Sequence, residues 1–244
     1  MKIDSGDKIC KVKPLIEHLN DKFCKFIEPI GQNFSLDEAM EPYYGHHPMK
    51  QFIRSKPIWY GYKFWCLTSS DGYLIKFQPY TGAGDKTPGK SLGSSVTEKL
   101  CLNFLPMGAC VHIDNYFTSL PLMDTLTQNN LFCVGTIRND HIEKAPLKDL
   151  KVEDRGTSYS LREKHNANTL IRWNDNNQVT LVTNVQSEDH FKIGHCKHWK
   201  RNQGKQISVS QPNLIKLYNK GMGGVDLFDN LRGLYCIRIR SRKW

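Results

Sequence analysis

The sequence lacks any apolar run approaching the roughly 20 residues that cross a bilayer as a helix. Its first residues, Met1-Lys2-Ile3-Asp4-Ser5-Gly6-Asp7, also lack the apolar stretch of a secretory signal. Neither a membrane-spanning helix nor secretion is expected. None of the eight cysteines (Cys10, Cys24, Cys66, Cys101, Cys110, Cys133, Cys196 and Cys236) falls in a C-x-x-C pair. Scattered through apolar patterns, they read as reduced core residues of an intracellular protein. Two glycine-bearing fragments, Gly82-Ala83-Gly84 and Gly89-Lys90-Ser91, lack the spacing of a phosphate-cradling loop, which excludes a nucleotide site. His195-Cys196-Lys197-His198 offers three zinc donors but lacks a matched second pair at a defined spacing. Continuing through Trp199-Lys200-Arg201 to Lys205, it reads instead as a basic surface patch.

At 244 residues the chain can bury a real core, and 39% hydrophobic with 11% aromatic residues argues for a folded protein. The length suits one large domain or one domain carrying an insertion. Lys and Arg number 34 against 24 Asp and Glu, a net charge of +10, which favours a polyanionic partner such as nucleic acid.

From Lys13 to Phe26, the residues Leu15, Ile16, Leu19, Phe23 and Phe26 recur at helical spacing opposite polar ones, an amphipathic helix expected to pack on a sheet. Gln32 to Glu38 reads as a short strand ending in acid at Asp37. Lys50, Arg54, Lys56 and Lys63 then interleave with Phe52, Ile53, Trp59, Tyr60 and Tyr62, a mixture that suits a phosphate-lined surface and equally an ordinary solvated sheet face. Tyr60 to Thr68 and Tyr73 to Tyr80 are β-rich runs joined through Ser69-Ser70-Asp71-Gly72, a hairpin signal. Thr81 to Ser95 reads as a loop and Thr97 to Leu105 as a helix. Ala109 to Ile113 is a strand that delivers Asp114 at its end, with Thr118 or Ser119 capping the next helix ahead of Pro121. Leu131 to Ile137 is another strand.

The order β-β-β-α-β-α-β, with acids ending the first and fourth strands, is a ribonuclease H-like α/β pattern: a mixed sheet flanked by helices. Asn139 to Gln211 changes to short alternating runs separated by turns, read as a β-rich insertion between the fifth strand and the last acidic helix. The expected division is therefore residues 1–138 (first part of the core), 139–211 (insertion) and 212–244 (the C-terminal acidic helix). That last element starts at Asn213, breaks at Gly221-Met222-Gly223-Gly224 and resumes with Asp226 and Asp229, which at i and i+3 share one helix face. Arg232, Arg238, Arg240, Arg242 and Lys243 crowd the end, and the chain reads as cut short at Trp244.

A strand-end Asp taken alone usually just caps a turn. Three carboxylates from separate elements, Asp37, Asp114 and Asp226, are what a two-metal phosphoryl-transfer site needs, because hard Mg²⁺ or Mn²⁺ ions take oxygen ligands. The same residues carry a family resemblance. Ser35-Leu36-Asp37-Glu38-Ala39-Met40, followed by Pro42-Tyr43-Tyr44-Gly45 and Gln51-Phe52-Ile53-Arg54-Ser55-Lys56-Pro57, resembles the first acidic block of piggyBac-type transposases of the DDE superfamily and their domesticated relatives. Asp114-Asn115-Tyr116-Phe117-Thr118-Ser119 resembles the second block, and Tyr218-Asn219-Lys220-Gly221-Met222-Gly223-Gly224-Val225-Asp226-Leu227-Phe228-Asp229 the third.

The resemblance implies a truncated catalytic core with catalytic Asp37, Asp114 and Asp226, with Asp229 as a fourth metal ligand, and Mg²⁺ or Mn²⁺ as cofactor. It implies cut-and-paste DNA transposition at TTAA, or else a catalytically inactive transposase-derived DNA-binding protein. The implied partner is double-stranded DNA, held by candidates Lys50, Arg54, Lys56, Lys200, Arg201, Arg240 and Arg242. No membrane or small-molecule substrate is expected. A homodimer and a nuclear location fit the same reading.

Overall fold

The computed structural model describes residues 8–26, 31–54, 58–82, 86–102, 104–142, 144–164, 168–200 and 204–235, apart from the side chain of Lys200. Helix α1 (Lys13–Phe23) has a proline in its first turn and passes into a 3-10 turn at Cys24–Phe26. Strands β1 (Asn33–Pro42), β2 (Gln51–Phe52), β3 (Tyr60–Ser69) and β4 (Leu74–Pro79) follow, with β3 and β4 joined by the expected hairpin, where Gly72 takes a φ of 84°. Next come α2 (Leu92–Cys101), β5 (Cys110–Ile113), α3 (Leu120–Gln128) and β6 (Phe132–Thr136). Ser119 is the cap of α3, accepting from the Leu122 N–H.

Strand order β4-β3-β1-β5-β6 forms the heart of the sheet. The pairs β1–β3 and β3–β4 are antiparallel, and β1–β5 and β5–β6 are parallel. This is the ribonuclease H-like arrangement. Three strands of the segment read as an insertion, β7 (Ser158–Arg162), β8 (Thr169–Asn174) and β9 (Gln178–Thr183), extend the same sheet antiparallel beyond β6. Strands β10 (Ile193–Lys200) and β11 (Lys205–Pro212) form a separate hairpin, and helices α4 (Asn213–Met222) and α5 (Gly224–Leu234) complete the chain.

The main core lies on the α2–α3 side, where Phe34, Leu36, Trp65, Leu67, Val111 and Ile113 are fully buried. Each such side chain contributes about 1.5–3 kcal/mol by leaving water. On the edge strand β4, the Asn20 amide of α1 bonds both the Phe77 N–H and its carbonyl at 2.9 Å, so a side chain stands in for the missing neighbour strand.

Two expectations are corrected. Asp37 does not end its strand: β1 stays paired with β3 as far as Pro42, opposite Gly61. The Asp37-Glu38 dipeptide looks like a turn, but Ala39 and Met40 beyond it are buried. What stops at Leu36 is the pairing with β5. The Thr81–Ser95 loop also ends early, because α2 starts at Leu92 with Ser91 as its cap, accepting from Ser94 N–H. The small residues there permit close packing: a Cβ on Gly93 would stand 2.3 Å from the Tyr116 carbonyl oxygen.

Candidate active site

The first two acids are brought together by register. Leu36 of β1 and Ile113 of β5 are the last partners of the parallel pair, so Asp37 and Asp114 are the next residues on adjacent strands. Side chains alternate along a strand. Ser35 Oγ donates to the Met222 carbonyl at 2.7 Å, Ala39 packs with Cys66 and Val225, and Glu41 pairs with Arg232. Asp37, sharing their parity, therefore stands on the sheet face that α4 and α5 cover. Each carboxylate is oriented by a local bond: Glu38 N–H donates to Asp37 Oδ1 at 2.7 Å, and Tyr116 N–H to Asp114 Oδ1 at 2.9 Å. The Asp114 carbonyl accepts from Thr118 Oγ1 at 2.7 Å, which ties the turn that launches α3.

Glycines let the covering helices descend onto the sheet. A Cβ on Gly221 would meet the His112 ring at 2.3 Å, and one on Gly224 would lie 2.3 Å from the Ser69 carbonyl oxygen and 2.6 Å from Thr68 Oγ1. His112 is held neutral-leaning by burial, its Nδ1 lying 3.1 Å from the Phe34 carbonyl. Asp226 is exposed in the first turn of α5, whereas Asp229 is half-buried and lies 3.5 Å from the Arg232 guanidinium. The shared face of these two acids thus gives them unequal surroundings.

Two residues whose importance the sequence did not signal sit among the acids. Burial pushes the Tyr218 phenol of α4 up to about 12, with Asp114 and Asp37 adding to the shift. The Cys66 thiol, opposite Asp37 in register, is pushed up by burial first and then by Asp229 and Asp37. Asp37 adds to the shift of both groups, with Asp114 at Tyr218 and with Asp229 at Cys66. Among the described residues, no group of three His, Cys, Asp or Glu side chains stands ready to hold a metal ion. The donor set itself, all carboxylate oxygen, suits a hard divalent cation.

Of the DNA-binding candidates, Lys50 and Arg54 lie at the β2 end of the sheet, and Arg54 is exposed. Lys56, Arg201, Arg240 and Arg242, and the Lys200 side chain, lie outside the described residues. The three zinc donors do not converge. On β10, strand alternation separates His195 from Cys196 and His198, whose Sγ and Nε2 are 3.1 Å apart.

A mixed ribonuclease H-like sheet with acids following the last pairing of two adjacent strands, next to a glycine-broken helical segment carrying two more, defines the class as a DDE-type transposase core. The chain belongs to the Transposase IS4 family, whose model matches residues 1–244. It is 39% identical over 252 aligned residues to human PiggyBac transposable element-derived protein 3 and 34% identical over 256 to human PiggyBac transposable element-derived protein 2. Each alignment covers 99% of this chain, which spans 42% of either relative. The cryo-EM structure of a piggyBac transposase synaptic complex with hairpin DNA shares the fold, with a TM-score of 0.77 at 23% identity, covering 98% of this chain and 48% of that one.

Proposed function

We propose that this chain is the catalytic core of a cut-and-paste DNA transposase, cleaving and rejoining phosphodiesters at TTAA, with Asp37, Asp114 and Asp226 as catalytic residues. The observation that carries the reading is the juxtaposition of Asp37 and Asp114 beyond the last paired residues of two parallel strands. Asp226 is the third ligand and Asp229 the fourth, for Mg²⁺ or Mn²⁺. When bound, such ions supply Lewis acidity at the scissile phosphate and lower the pKa of a bound water or hydroxyl.

The chain's own groups do the rest. Backbone N–H groups of Glu38 and Tyr116 fix the orientation of the two carboxylates. Tyr218, a phenol neutral at physiological pH and pushed further up by burial, adds no charge near the two carboxylates. Arg232, tied to Glu41 and near Asp229, braces α5 against β1. Double-stranded DNA is the partner; the excess of cations binds its backbone, and the site works in the nucleus, as a homodimer if both element ends are processed together.

The test is nicking of a TTAA-flanked duplex by the purified chain. Cleavage that needs Mg²⁺ or Mn²⁺ and disappears in Asp37→Ala and Asp114→Ala supports the proposal. Cleavage that persists in both variants overturns it. A second reading, an inactive transposase-derived DNA-binding protein, shares the same fold and cations. Metal-independent, salt-sensitive DNA binding without any nicking would select that second reading.

A further inference from the structure

The sequence from Pro42 to Ser70 contains no acidic residue, yet holds Lys50, Arg54, Lys56 and Lys63. Among the described residues, this acid-free stretch forms the far end of β1 and all of β2 and β3. Here apolar rings face solvent: Tyr44 is 86% exposed, Phe52 55%, Trp59 54% and Tyr60 46%. Isolated exposed apolar residues are ordinary, but a cluster marks an interaction surface.

The rings are ordered. Phe52 and Tyr60 pair across β2 and β3 with centroids 4.7 Å apart, and the Lys50 ammonium stands 5.2 Å from the Tyr60 ring while donating to the Tyr44 and Gly45 carbonyls. Behind them Tyr43 stacks on Tyr62 at 4.8 Å, and His47 meets Tyr62 edge-on at 5.4 Å. An apolar protein partner would be served by the rings alone. Exposed rings interleaved with cations and free of carboxylates match a nucleic acid strand whose bases are unpaired, since the rings take base faces and the cations take phosphates.

We propose that Phe52, Trp59, Tyr60 and Tyr44, with Lys50 and Arg54, form a stacking platform for unpaired DNA bases. It deepens the reading of the chain as a transposase core and rests on it. Its position sets a length. Past Leu36 the edge of β1 on the β5 side carries no strand among the described residues, so that edge leads from Asp37 to Tyr43. Six residues of strand span about 20 Å. At the spacing of a stacked strand, about 3.4 Å per nucleotide, that is roughly six nucleotides. A tail shorter than this, starting at the acids, does not reach the rings.

The test is fluorescence anisotropy in metal-free buffer, using the Asp114→Asn chain so that cleavage plays no part. The probes are a blunt duplex and the same duplex with an unpaired tail of two or eight nucleotides. The expected result is that the eight-nucleotide tail binds on the order of 10-fold more tightly than the two-nucleotide tail. Phe52→Ala with Trp59→Ala should erase that preference while changing blunt-duplex affinity by less than about twofold. Phe52→Tyr with Trp59→Phe should keep it, which separates lost stacking from misfolding. Equal losses on blunt and tailed probes overturn the platform, as does a wild-type chain indifferent to tail length. Self-association in sedimentation that the double Ala variant abolishes would also overturn it, making the patch a protein contact. Failure of the transposase reading would appear elsewhere, as absent nicking with the tail preference intact.

Discussion

Gly224→Ala isolates what the descent of α5 does for the acids. The new methyl would stand 2.3 Å from the Ser69 carbonyl oxygen, a backbone atom of β3 that has no freedom to rotate away. A comfortable carbon–oxygen contact needs about 3.3 Å, so the start of α5 must rise by about 1 Å. Overpacking of this kind costs about 1–3 kcal/mol, offset by at most about 1 kcal/mol from the better helix propensity of Ala. A net loss of about 1–2 kcal/mol lowers Tm by about 2–8 °C for a chain of this size. The displacement carries Asp226 and Asp229 away from Asp37, and on their proposed catalytic roles an error of about 1 Å costs about 100-fold in rate. Gly223→Ala is the control, because a Cβ there meets nothing within 4 Å and its φ of −77° suits any residue. Calorimetry and nicking rates on both variants give the answer. A Gly224→Ala chain with unchanged Tm and rate, or equal damage from Gly223→Ala, refutes the reasoning.

Other outcomes are expected from single side chains. Asn20→Ala removes both bonds to Phe77 on the edge strand and should cost about 1–3 kcal/mol in urea unfolding, with faster hydrogen exchange at the Phe77 amide. Burial lowers the pKa of His112, so below its unfolded value of about 6.5 the unfolded chain takes up a proton that the folded chain refuses; stability should fall as pH drops from 7 through 6, and less steeply in His112→Asn. Lys50→Ala with Arg54→Ala should weaken binding of the duplex carrying the eight-nucleotide tail and flatten its dependence on log salt concentration by about 0.7 unit for each single-strand phosphate no longer neutralised, read from a salt titration.

Much of this was legible because local chemistry agreed with the fold. Asp71-Gly72 set the hairpin, Ser119 capped α3, and the glycines at 221, 223 and 224 marked the helix break and its close approach. Asp114 followed its strand as the apolar run before it required. Misread elements were decided by tertiary contact. Nothing local reveals that β1 passes through Asp37 and Glu38, since the strand is held there by β3 and by α5 packing on Ala39. Gly93 looked like loop because its lack of a side chain serves close packing against the Tyr116–Phe117 backbone, and Ser94 and Ser95, buried in the first turn of α2, are small polar residues of the kind loops favour. Tyr218 and Cys66 acquire meaning only once the fold brings both near Asp37. Strand parity likewise separates His195 from Cys196 and His198, which adjacency in sequence does not reveal.

The central claim is that carboxylates from β1, β5 and α5 form one metal site when DNA is bound. Mn²⁺ titration followed by electron paramagnetic resonance, with an uncleaved TTAA duplex present, tests it most directly. The account predicts DNA-dependent Mn²⁺ binding by the native chain, lost in Asp37→Asn and Asp114→Asn and weakened in Asp226→Asn. Binding that is equally tight in the native chain and in all three variants would contradict it.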